Sequence, residues 1–265
     1  MNKKSMFIQN IKRDFRLAIN DIFKENLEFA FLCGKTAFGV FNNDSDIDVV
    51  VVLRNKFVKS PRKFLTAKRM FMEVYFELHK RYGLKPDYLW PGEYVSVSQM
   101  GEAALGRAVE LKGGNLSPPR LMENNELGND KIYSYWWSML IFSKFLTGNR
   151  RIYSNLRKNA ASTLIRFALY DQRLKKINDE RSILEFCINF YHFLGIDYHY
   201  QTPNFFKSII PTFKAALVLL VGSQVLIKKE GSYQVTDKLT IWAKKLFKKT
   251  KNSQWNTSVS KSYYL

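Results

Sequence analysis

Apolar residues recur with the period of a helix along the start of the chain: Phe7, Ile8, Ile11, Phe15, Leu17, Ala18, Ile22 and Phe23. Steps of three and four gather most of them on one side, which predicts an amphipathic helix over residues 5–26. The pattern then changes. Residues 29–33 form a short apolar run that stops at Gly34, and after the polar loop 42–45 a second strand is predicted over 46–53. Its Val49-Val50-Val51-Val52 core has no polar alternation, as in a strand covered on both faces. Ser60-Pro61 opens a further helix through Lys80, with proline in its first turn, and Gly83 ends it. Residues 84–90 are predicted as a third strand.

Residues 113–130 are rich in Gly, Pro and Asn and lack apolar periodicity, so they are read as a linker. Beyond it the spacing predicts helices over 131–147, 152–176, 180–195 and 204–221. A small hairpin follows, pairing 225–227 with 232–235, then a helix over 237–249 and a loose tail over 250–265. The predicted fold class is α+β. A small mixed-sheet domain over 1–112 is followed by a helical C-terminal domain over 131–249 that carries the hairpin.

Charge sharpens this picture. The 265 residues hold 42 Lys and Arg against 23 Asp and Glu, a net charge of +19. Residues 1–115 hold 19 basic and 13 acidic side chains, and residues 116–265 hold 23 and 10, so the helical half carries most of the excess. Such a surface favours anionic partners. Cys33 and Cys187 lie far apart in apolar runs, which argues against a disulfide framework or zinc site and for a reducing, cytoplasmic setting. The N-terminal pattern is helical rather than that of a leader. The most apolar window, 208–227, contains Pro211, Lys214 and Gly222, so a buried helix is expected there and no membrane span.

One constellation carries chemistry: Gly34-Lys35-Thr36-Ala37-Phe38-Gly39, then Asp44-Ser45-Asp46-Ile47-Asp48. On a strand, Asp46 and Asp48 project from the same face. Two carboxylates beside a buried valine run are costly unless a cation neutralises them, and hard oxygen donors suit Mg²⁺. The plainer alternative is a solvated turn. A glycine at the end of the preceding strand lets backbone approach phosphate oxygens closely.

Strand, glycine turn, short segment and Ser-Asp-x-Asp on the next strand resemble the signature of the nucleotidyltransferase superfamily, whose members include DNA polymerase β and small antibiotic-modifying enzymes. The resemblance covers about residues 28–95. It implies two Mg²⁺ ions held by Asp46 and Asp48, a nucleoside triphosphate bound by Gly34, Lys35 and Ser45, and attack of a hydroxyl on the α-phosphorus with loss of pyrophosphate. It also implies a third carboxylate on a later strand. Asp87, expected on the third strand, fills that place as a catalytic and metal-binding residue, with Glu93 as the fallback. The family usually has serine or glycine where this chain has Lys35. That lysine is either a phosphate-binding point charge or the mark of a member without activity.

Other motifs fail. A P-loop requires glycine five residues before Gly34, where Phe29 stands. His79, His192 and His199 lack metal spacing and are read as ordinary histidines. Lys244, Lys245, Lys248 and Lys249, with Arg150 and Arg151, are candidate contacts to a phosphate backbone. The acceptors expected are therefore RNA, such as tRNA, or an acidic partner protein. The alternatives are an aminoglycoside acceptor, or a non-catalytic nucleic-acid-binding or regulatory module on the same fold.

Overall fold

The structure, a computed structural model, describes residues 3–39, 44–88, 91–105, 139–170, 203–230 and 232–250. It is mixed α/β, with a small mixed sheet, several helices and a C-terminal helical part. The predicted linker, the 180–195 helix and the tail beyond 250 lie outside the described residues. The chain divides into two compact units. The first comprises 1–101, 110–120 and 142–154, and the second comprises 102–109, 121–141 and 155–265.

In the first unit the elements run α1 (Lys3–Phe23), β1 (Leu27–Leu32), α2 (Gly34–Ala37), β2 (Val49–Leu53), α3 (Asn55–Val58), α4 (Pro61–Tyr82), β3 (Glu93–Ser96), α5 (Val97–Ala104) and β4 (Lys144–Gly148). The sheet order is β3-β2-β1-β4, with β2–β3 parallel and the other neighbours antiparallel. β2 is buried along its whole length, as its valine run requires. Helices α1 and α4 cover one face. Phe15 and Phe23 of α1 meet Phe71 of α4, and Tyr94 of β3 meets Phe23, Phe64 and Phe71 at centroid separations of 6.0–6.1 Å. Such ring pairs add about 0.5–1.5 kcal/mol each beyond their buried area. Gly83 ends α4 at φ +63°, with Leu84 N–H reaching back to His79 O at 2.9 Å, a left-handed cap that glycine adopts without strain.

The other face of β1 carries Phe29 and Phe31. Tyr153, from α6 (Arg150–Tyr170), packs on both and on Phe145 of β4. Asn149 caps α6 by accepting the Ile152 N–H at 3.2 Å.

Two predicted elements are overturned. Residues 84–88 form no strand, and the third strand is β3, after the Pro91-Gly92 turn. Pro86 lacks a backbone donor, which unsuits 84–90 for pairing with the central β2. Residues 144–147, expected to end a helix, instead belong to β4, which pairs with β1.

The second unit contains α7 (Pro203–Gly222), the hairpin β5 (Leu226–Lys229) and β6 (Ser232–Val235), and α8 (Lys238–Thr250), so it is helical with a hairpin rather than purely helical. Its buried apolar residues include Leu164, Ile165, Phe213, Leu217, Leu220, Leu226 and Leu239. Among the described residues no helix is long and apolar enough to cross a membrane.

Candidate active site

The end of β1 and the approach to β2 are joined one residue beyond the strands proper. Cys33 N–H donates to Asp48 O at 3.0 Å, continuing the ladder past Leu32 and Val49. Gly34 follows at φ +69°, a conformation glycine takes freely. A Cβ at Gly34 would lie 1.7 Å from Asp48 Oδ2. The carboxylate therefore rests against bare backbone where β1 turns into α2.

Glu93 reaches the same region from the neighbouring strand. Glu93 pairs with Val50 in parallel register, and Val50 is two residues from Asp48. Tyr94 packs beneath α1 and α4, so Glu93 projects from the opposite face. Glu93, Asp48 and Cys33 thus share one face on three adjacent strands. Glu93 and Cys33 are buried, and Asp46 and Asp48 are half-buried. Burial pushes the Cys33 thiol well above its ordinary pKa, and the charges of Asp48, Glu93 and Asp46 push it further. A buried thiol raised in this way is a poor nucleophile. It acts here as a neutral neighbour to three carboxylates.

Asp87 lies in the segment between α4 and β3. Its N–H donates to Tyr75 Oη at 3.3 Å. Burial raises the Tyr75 phenol most. The bond from Asp87 N–H opposes that rise, while the charges of Asp46, Asp48 and Asp87 add to it. Asp87 is therefore linked to the Asp46/Asp48 pair through Tyr75 of α4, whereas Glu93 shares a face of the sheet with Asp48. Among the described residues, no group of three or more His, Cys, Asp or Glu side chains is disposed to hold a metal ion. The donor set nonetheless suits Mg²⁺, which binds through one or two carboxylates and takes its remaining ligands from water and phosphate.

The remaining candidates are spread more widely. Ser45 is half-buried just before Asp46, and the Lys35 side chain lies outside the described atoms. Arg150 and Arg151 are exposed at the start of α6, with the Arg150 guanidinium 4.7 Å over the Phe145 ring. Lys244 and Lys245 are exposed on α8, in the second unit, and the Lys248 and Lys249 side chains are outside the described atoms. Thr36 lies within the Gly34–Gly39 run but was given no role of its own, and Tyr75 and His79 were not expected at the site. For the latter two the local signal was the four-residue step from Tyr75 to His79, which puts both on one side of α4.

Compared with protein-family models, curated proteins and solved structures, the chain matches none.

Proposed function

We propose that this chain is a Mg²⁺-dependent nucleotidyltransferase, built on a nucleotidyltransferase-type fold, that moves a nucleoside monophosphate from a nucleoside triphosphate to a hydroxyl acceptor. The observation that carries the reading is the placement of Asp48 and Glu93 on one face of adjacent strands, with the Asp48 carboxylate against the Gly34 backbone. Asp46 and Asp48 are the residues that would hold Mg²⁺. The ion would supply charge neutralisation for the triphosphate and a lower pKa for the acceptor hydroxyl. Gly34, lacking a Cβ, leaves room for the Asp48 carboxylate to lie against its backbone. Glu93 takes the third carboxylate's role in place of Asp87. It draws the hydroxyl proton as the acceptor oxygen bonds to the α-phosphorus and the bond to pyrophosphate breaks.

RNA is the acceptor class we favour, because the second half of the chain is strongly basic and Lys244 and Lys245 stand exposed. A protein hydroxyl or an aminoglycoside is the alternative acceptor. A non-catalytic nucleic-acid-binding module is the second reading, motivated by Lys35 where the superfamily usually has serine.

The test is incubation of the chain with each labelled nucleoside triphosphate, Mg²⁺ and total RNA or protein. Label should move to RNA and should not move with Asp48→Asn. Nucleotide binding without transfer of any label would favour the non-catalytic reading.

A further inference from the structure

The peptide unit between Asp46 and Ile47 is gripped on both sides by buried side chains. Its carbonyl, Asp46 O, accepts from Thr36 Oγ1 at 2.7 Å. Its amide, Ile47 N–H, donates to His79 Nε2 at 3.1 Å. Thr36 is 2% exposed and His79 is fully buried. One grip comes from α2, the other from α4. Neither atom belongs to a strand ladder, since β2 begins at Val49.

The imidazole is committed to this task. Its Nδ1 lies 2.8 Å from Tyr75 O, which can only accept, while Ile47 N–H can only donate. The ring is therefore neutral, with its proton on Nδ1 and a lone pair on Nε2. It packs against Tyr75 and Phe15 at centroid distances of 4.1 and 6.1 Å. Burial lowers its pKa, against the Tyr75 carbonyl and the charge of Asp87, which keeps the acceptor lone pair available.

We propose that Thr36 and His79 are positioning residues that clamp the Asp46–Ile47 peptide and so set the directions in which Asp46 and Asp48 present their carboxylates. A peptide plane held at both oxygen and nitrogen fixes ψ of Asp46 and φ of Ile47. These are two of the four backbone torsions that relate Asp46 to Asp48, and the chain is tethered again just beyond the other two, where Cys33 N–H donates to Asp48 O. Without the clamp, two like charges two residues apart would swing apart. The inference rests on the proposed role of these carboxylates as metal ligands.

The test pairs amide exchange with metal binding in the full chain. Thr36→Val and His79→Leu remove one grip each, while Thr36→Ser and His79→Gln retain a hydroxyl or an acceptor. Exchange of the Ile47 amide, followed by NMR, should accelerate in His79→Leu and recover in His79→Gln. Mn²⁺ affinity, read by water-proton relaxation, should fall about 10–100-fold in both grip-removing variants and recover in the conservative ones. Unchanged Ile47 exchange in folded His79→Leu, or wild-type Mn²⁺ affinity despite faster exchange, would overturn the clamp. A wild-type chain that binds no Mn²⁺ would overturn the nucleotidyltransferase reading instead, and the clamp would then stand or fall on exchange alone.

Discussion

Gly34 and Asp48 occupy one space between them: the Asp48 carboxylate lies where a side chain at Gly34 would begin, 1.7 Å from the position of its Cβ. Gly34→Ala must therefore displace that carboxylate as well as strain a backbone held at φ +69°. The strain costs about 1–3 kcal/mol of stability. If Asp48 holds the metal as proposed, displacing it by about 1 Å should lower transfer about a hundredfold. Thermal unfolding and single-turnover transfer, measured on the same preparation, check the two effects separately.

Glu93 and Asp87 make opposite predictions. Glu93→Gln keeps the size of a buried side chain but removes its charge, and should lower kcat by about 10²–10⁴ with little change in nucleotide KM. Asp87→Asn leaves its backbone bond to Tyr75 in place and should keep activity close to wild type. The reverse order would restore Asp87 as the third carboxylate.

A pH dependence of stability resides where α1 meets the end of α4. Asp14 of α1 accepts from Tyr82 Oη at 2.7 Å, Arg13 Nε at 2.9 Å and Arg81 Nη1 at 3.3 Å, tying α1 to the end of α4. Burial pushes its carboxyl up, but the Tyr82 and arginine bonds outweigh that and leave it below its ordinary pKa of 3.8. The folded state thus releases this proton more readily than the unfolded one. The resulting stability is complete above the unfolded pKa and is lost as pH falls through the folded value. Asp14→Asn should cost about 1 kcal/mol or less at pH 7 and flatten the acid limb. Urea unfolding at pH 7 and at pH 3 measures both.

Salt separates an RNA acceptor from a small one. Six to ten phosphate contacts would lower affinity by about three to five decades between 50 and 200 mM salt. Replacing Lys244, Lys245, Lys248 and Lys249 with glutamine should flatten that slope and leave Mg²⁺-nucleotide binding unchanged. Filter binding across a salt series checks this. A variant with an unaltered slope would move the acceptor surface elsewhere, and absence of RNA binding at low salt would favour a drug or sugar acceptor.

Elements whose pattern is local were legible in the sequence. The α1 and α4 stripes, the Val49–Val52 run, the 226–235 hairpin and α8 are each set by their own residues. Asp46 and Asp48 stand out in the sequence by their spacing, but the strand predicted to carry them begins only at Val49, so both precede it. Strand β4 was not, because its pairing depends on β1, which lies more than a hundred residues earlier, and its apolar residues follow a helix-like run. Strand β3 was hidden by alternation in 84–90 that mimics a strand, with Pro91-Gly92 reading as its end. His79 was passed over since nothing in a lone histidine between Leu78 and Lys80 indicates that its ring meets Ile47.

The late arrival of β4 governs how the first unit can be made. Until residues 144–148 leave the ribosome, β1 has β2 on one side and a bare edge on the other, an apolar template open to neighbouring chains. At about 5–20 residues per second that interval lasts roughly ten seconds. A fragment ending at residue 112 never closes it. Soluble expression of the first unit thus requires a gene that runs through Gly148, or one in which the 144–148 segment is spliced back beside Leu27–Leu32.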